Sequence, residues 1–155
     1  MMSEIGVPAS ARSGILLVED DDIHAMLTEK ALRRAGFDAH LWRAADGEEA
    51  LEAILCQGRF EGRGRLGLVL LDLKIPKVTA MEVLRAARQH PGTAHLVIVM
   101  LTTSDDPHDR EQALRHGANS YVTKPGDPRE FRDVVGQIFR RWFRDGPVVE
   151  GGEAR

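Results

Sequence analysis

Leu68-Val69-Leu70-Leu71-Asp72-Leu73-Lys74-Ile75-Pro76 decides the fold: an apolar run closes on a carboxylate, and a proline soon after it ends the extended chain. An apolar run without polar alternation reads as a strand covered on both faces, the habit of parallel sheets. A carboxylate at the end of such a strand marks chemistry rather than packing. Three further stretches repeat the pattern. Ile15-Leu16-Leu17-Val18 runs into Glu19-Asp20-Asp21-Asp22, Leu96-Val97-Ile98-Val99-Met100-Leu101 runs into Thr102-Thr103-Ser104, and Ser120-Tyr121-Val122-Thr123 delivers Lys124-Pro125. In chain order the strands therefore present an acid, an acid, a hydroxyl and an ammonium.

Helical spacing fills the intervals. Ile23, Met26, Leu27, Ala31, Leu32 and Ala35 form a helix that stops at Gly36, a residue suited to the left-handed cap position. Residues 37–43 read as a short edge strand, and Asp46 stands at capping-box spacing from Glu49 ahead of a second helix. Residues 81–89 make a third helix and 109–116 a fourth, closed by Gly117; Asp127-Pro128 opens a fifth, with Asp as N-cap and Pro first in the helix. Five strands alternating with five helices define an α/β fold, a flavodoxin-like (βα)5 doubly wound parallel sheet with strand order 2-1-3-4-5. Its ligand crevice lies beyond the strand ends between the first and third strands, so Asp20 and Asp72 should face each other there.

The bulk composition fits this reading. A chain of 155 residues with 43% apolar side chains supplies one core of ordinary size. We assign residues 1–13 to a flexible leader, 14–143 to the domain and 144–155 to a tail or dimer arm. A net charge of -3 argues against general nucleic-acid binding. No apolar stretch approaches the roughly 20 residues that cross a bilayer. Cys56, the single cysteine, cannot close an internal disulfide, which suits the cytoplasm; we expect it to pack along a helix. Gly62-Arg63-Gly64-Arg65-Leu66-Gly67 spells a dinucleotide fingerprint, but it enters a strand where that motif must leave one, so it reads as a loop. The six histidines show no ligand spacing and read as surface or packing residues.

Neighbouring carboxylates need a cation between them, and hard oxygen ligands beside a phosphate favour Mg2+. Helix capping alone accounts for Asp22, but not for Asp72, Thr102 and Lys124 arriving at one edge. Phosphoryl transfer requires mainly positioning and charge neutralisation, and a carboxylate can itself be the nucleophile, forming an acyl phosphate.

Taken together, Val18-Glu19-Asp20-Asp21, Leu71-Asp72-Leu73-Lys74-Ile75-Pro76, Leu101-Thr102-Thr103-Ser104 and Tyr121-Val122-Thr123-Lys124-Pro125 resemble the receiver domain of bacterial two-component response regulators. The likeness covers about residues 14–143. It implies that Asp72 accepts a phosphoryl group from a kinase phosphohistidine, and that Glu19, Asp20, Asp72 and the Lys74 carbonyl hold Mg2+, Glu19 through a water. Lys124 would bind a phosphoryl oxygen, Thr102 would close on another, Tyr121 would turn inward as the switch aromatic, and the Lys124–Pro125 bond would be cis. Two positions depart from the usual pattern: Val78-Thr79-Ala80 stands where many receivers have Asp-Gly, and Gly126 replaces a bulky apolar residue.

The resemblance further implies a single-domain response regulator, a phosphoacceptor with at most slow autodephosphorylation rather than an enzyme. Its partner is a sensor histidine kinase, and its loop and C-terminal motifs look like those of stand-alone receivers serving bacterial phytochromes. The last helix carries Phe131, Val134, Val135, Ile138 and Trp142 on one stripe; Phe139 and Phe143 widen it into a candidate homodimer face. Too few residues follow that helix for a DNA-binding unit, so DNA and membranes are not expected partners. A Mg-dependent aspartyl phosphatase or phosphotransferase is the competing class, but such enzymes commonly carry an acid two residues after the nucleophile, where Lys74 stands here. The remaining alternative is a non-phosphorylated scaffold of receiver shape.

Overall fold

The computed structural model describes residues 13–144. Apart from Ser13, the leader lies outside them, as does the tail beyond Arg144 with its candidate arm at 147–150. The elements follow in strict alternation: β1 (Gly14–Val18), α1 (Asp22–Arg34), β2 (Leu41–Ala44), α2 (Gly47–Ile54), β3 (Leu66–Leu71), α3 (Ala80–Gln89), β4 (Ile98–Thr102), α4 (Pro107–Arg115), β5 (Ser120–Thr123) and α5 (Pro128–Ile138). All strand pairs are parallel and the order is β2-β1-β3-β4-β5.

The two-residue period of the strands divides the core. Leu16, Val18, Val69, Leu71, Ile98 and Met100 point to one face, under α2, α3 and α4. Ile15, Leu17, Leu68, Leu70, Val99 and Leu101 point to the other, under α1 and α5. Both faces are dry, which is why these runs carry no polar alternation.

Local chemistry sets the boundaries, and several differ from the sequence expectation. The N-cap of α1 is Asp21, not Asp22: its carboxylate accepts from the N–H groups of Ile23 and His24 at 2.9 and 3.0 Å. Asp22 follows as the acid of the first turn and also pairs with Arg43 at 2.8 Å. The edge strand begins at Leu41, since the carbonyls of Phe37 and Ala39 are taken by Arg33 at 3.3 and 2.6 Å. Asp46 caps α2 through Glu49 N–H, but the reciprocal Glu49 carboxylate reaches Ala45 N–H rather than the cap's own. The full capping box sits at α3, between Thr79 and Glu82, in the very segment that departs from the usual pattern.

Cys56 does not pack along a helix. It is exposed, with φ 57°, just past α2, where Gln57 N–H reaches back to the Glu52 carbonyl at 2.8 Å. That closure puts the residue after the cap in the left-handed region and throws its side chain outward. Arg63 closes the same helix end by donating to the Ala53 and Ile54 carbonyls at 2.5 and 2.9 Å, which gives the discarded glycine motif a structural purpose.

Beyond α5 the chain continues as a wider π-type turn over Phe139–Arg144. Phe139 is buried and meets Phe37 edge-on at 6.0 Å, while Phe143 lies 5.3 Å from Phe37 and against Gly67. Much of the expected partner stripe therefore belongs to the chain's own core, and Trp142 remains half-buried at its rim.

Candidate functional site

The four strand ends converge as the fold requires. Asp72 leaves β3 beside β1, its N–H bonded to the Val18 carbonyl at 3.1 Å, and Lys124 leaves β5 beside β4, its N–H bonded to the Thr102 carbonyl at 2.6 Å. The Lys124 ammonium reaches across the sheet to Glu19 Oε1 at 2.5 Å and Asp72 Oδ2 at 3.0 Å. All three side chains are less than a tenth exposed. Asp20 is exposed, and one oxygen from each of Glu19, Asp20 and Asp72 lies within 4.8 Å of the others. Such a set of hard oxygens, two buried and one at the rim, fits a divalent cation of the Mg2+ or Mn2+ kind.

The electrostatics run in the same direction. Burial pushes the Glu19 carboxyl up from its ordinary value, and the nearby Asp72 charge adds to this; the Lys124 hydrogen bond pulls against both. A single ammonium thus shares two buried carboxylates. Arg43 steadies the acidic loop from β2, donating to the Glu19 carbonyl at 3.0 and 2.9 Å. Lys74 is exposed, and its N–H donates to Asp72 Oδ1 at 3.2 Å, folding the loop after β3 back over the acid.

Thr102 is fully buried at the end of β4, and its hydroxyl accepts from Ser104 N–H at 3.3 Å. Tyr121 is turned inward, and its hydroxyl donates to the Ser104 carbonyl at 2.8 Å. Burial raises the phenol's pKa and keeps it a donor. Ser104 in turn donates to Asp109 at 2.6 Å, and Arg110 donates to the Tyr121 carbonyl at 2.9 Å, so the start of α4 is tied to both residues. The Lys124–Pro125 bond is trans, contrary to expectation. The trans preference before proline is only about 0.5–1 kcal/mol, so neither isomer follows from sequence; here β5 hands Lys124 to the site without the cis bend.

Two residues of the site escaped the sequence reading. By spacing His24 reads like the other histidines as a surface or packing residue, yet its Nδ1 lies 3.0 Å from Lys124 Nζ. The available signal is its place in the first turn of α1, directly after the acidic end of β1. Arg43, at the end of β2, gave no comparable signal. Beside them a cleft of about 640 Å3 opens between α1 and α5, with Leu27, Ala31 and Phe131 among its apolar lining and Lys30, Arg34, Lys124 and Arg132 as its cations. Among the described residues no carboxylate lines it. Gly126 lines the cleft, and a Cβ there would meet nothing within 4 Å. Ile23, Met26 and Leu27 of α1 are exposed next to it.

The chain belongs to the response regulator receiver domain family, whose pattern matches residues 15–136. It is a receiver-domain signalling protein, and Glu19, Asp20 and Asp72 form an acidic cluster at the place where such domains carry their phosphoacceptor and divalent cation. Among its relatives, the probable methanogenesis regulatory protein FilR2 of Methanothrix harundinacea is 37% identical over 131 residues, 83% of either chain. The Mn2+-bound crystal structure of response regulator Rcp1 superimposes with a TM-score of 0.79 at 31% identity, covering 88% of this chain and 97% of that one. The phosphorylated cyanobacterial phytochrome response regulator RcpA gives a TM-score of 0.82 at 28% identity, covering 89% and 100%.

Proposed function

We propose that Asp72 accepts a phosphoryl group from the phosphohistidine of a sensor histidine kinase, and that this modification switches a protein-interaction surface. The observation that carries this reading is the Lys124 ammonium held between Glu19 and Asp72 at a buried sheet edge. An Asp72 oxygen forms the new O–P bond while the donor's N–P bond breaks. The electron pair stays on the departing imidazole nitrogen, and the product is an acyl phosphate. Lys124 exchanges its Asp72 partner for a phosphoryl oxygen, and Thr102 offers its hydroxyl to another. Glu19, Asp20 and Asp72, with the Lys74 carbonyl, would hold Mg2+, which supplies neutralisation of the phosphoryl oxygens. Thr102 and Tyr121 both bond to Ser104, so a turn of Thr102 toward the phosphoryl group reaches α4 through that residue.

The partner reading rests on the relatives and on the cleft. Similarity to a phytochrome response regulator supports a bacterial phytochrome kinase as donor. The apolar first turns of α1 and the cationic cleft beside Lys124 offer that donor a place to dock. Self-association through the outer part of the last helix remains part of the proposal, with Trp142 at its rim. Trp142→Ala should lower the apparent mass in sedimentation, and an unchanged mass would return that residue to an intramolecular role. The reducing cytoplasm suits the unpaired Cys56.

Mg2+ with acetyl phosphate or beryllofluoride should modify or occupy the wild-type site, read by intact mass or fluorescence, and Asp72→Asn should abolish the response. An equal response in the Asn variant removes Asp72 from the mechanism.

A further inference from the structure

We infer that His24 is a positioning residue for Lys124 during phosphoryl acceptance; the inference rests on the reading of Asp72 just given. An ammonium has three donors and no lone pair. Those of Lys124 meet Glu19 Oε1 at 2.5 Å, Asp72 Oδ2 at 3.0 Å and His24 Nδ1 at 3.0 Å. Its side chain is 4% exposed, so little water is available to replace a lost partner. Since an ammonium can only donate, the contact uses Nδ1 of His24 as the lone-pair nitrogen, which puts the ring proton on Nε2.

His24 is itself held in place. Its N–H is bound by the Asp21 cap at 3.0 Å and its carbonyl by the Thr28 hydroxyl at 2.8 Å, so the imidazole projects from a fixed turn of α1. The chemistry of the ring suits the task. When the O–P bond forms at Asp72 and the donor's N–P bond breaks, Lys124 must leave Asp72 Oδ2 for a phosphoryl oxygen. Glu19 and His24 are the two points about which it turns. A neutral acceptor holds the flexible lysine stem without adding a third negative charge against the incoming phosphoryl group, as a carboxylate at this place would. Without it, one donor is orphaned or falls back on the carboxylates, tightening the ground-state pair that acceptance has to break.

The test uses the full chain with Mg2+ and acetyl phosphate. His24→Leu should slow phosphorylation at saturating donor by about tenfold, with little change in the half-saturating concentration, the size expected for a hydrogen bond to a charged group. His24→Gln, which keeps an acceptor oxygen, should recover most of that rate. In lysine-labelled protein the Lys124 side-chain resonance should move in His24→Leu and return toward its wild-type place in His24→Gln. Equal rates in wild type and His24→Leu, or Leu and Gln variants slowed alike, would overturn the assignment. So would 15N shifts of the wild-type imidazole showing the proton on Nδ1, a measurement independent of how either variant folds. Failure of the wild type itself to be modified would strike the Asp72 reading instead.

Discussion

Lys77 shows how one residue can hold an uncomfortable backbone for the sake of the site. Its φ of 70° lies in the left-handed region, which costs a side chain other than glycine roughly 1–2 kcal/mol. Three contacts hold it there: Lys77 Nζ lies 3.4 Å from Asp46 and 3.6 Å from Glu48, and Gly47 N–H donates to the Pro76 carbonyl at 3.0 Å. A Cβ on Gly47 would fall 1.8 Å from the Val78 carbonyl oxygen, so only glycine admits this approach. The loop after Asp72 is thereby fastened to the start of α2. Asp46 serves both sides, as cap and as ion-pair partner. Its carboxyl is held below the ordinary 3.8 chiefly by the Glu49 N–H; burial pulls the other way, and the Lys77 charge adds to the lowering. A depressed folded pKa means stabilisation that is complete above the unfolded value and is lost as pH falls through the folded one. Asp46→Ala should therefore cost about 1 kcal/mol near pH 7, and the two denaturation midpoints should converge in acid below the folded value. A gap that persists unchanged there would show that the cap does not act through its charge.

At the scale of elements, the apolar runs that open on Ile15, Leu68 and Leu96 were legible because a parallel strand buried on both faces leaves an unbroken apolar signature. The acids and hydroxyl of the candidate site were legible to the same extent, since Glu19, Asp20, Asp72 and Thr102 follow or end those runs, while Lys124 follows the shorter and less apolar Ser120–Thr123. What escaped depended on contacts between distant elements. The start of β2 is a local exception: Arg33 bonds the carbonyls of Phe37 and Ala39, four and six residues on, and a side chain folding back on its own loop leaves no periodic signature. The breadth of the last helix's apolar stripe was visible, but its destination was not. Phe139 and Phe143 meet Phe37, a residue that reads as part of a strand, and the three rings pack into the core on the α1–α5 side of the sheet. His24 is the same kind of case: its helical turn could be read, but its 3.0 Å approach to a lysine that follows β5 could not.

For the whole molecule, charge is arranged against its own average. The net charge is -3, yet the cleft beside the site is lined by Lys30, Arg34, Lys124 and Arg132 and, among the described residues, by no carboxylate. Lys124 belongs to the phosphoacceptor site, whereas Arg34 and Arg132 stand farther along α1 and α5 and have no part in bond making. If the cleft receives the kinase, those two arginines act on encounter and register, where rim charges are felt most in the association rate. Arg34→Glu combined with Arg132→Glu should then slow transfer from the cognate kinase by about tenfold or more, with acetyl phosphate labelling of the same protein unchanged within about twofold. The donor to use is the kinase that transfers fastest in a screen of the source organism's histidine kinases. Added salt separates this effect from a folding defect. The wild-type transfer rate should fall as the screening length shrinks from about 10 Å at 0.1 M, and the charge-reversed protein should respond weakly or in the opposite sense. Equal slowing with kinase and with acetyl phosphate would mean the substitutions had disturbed the site itself, and the docking role of the cleft would be lost.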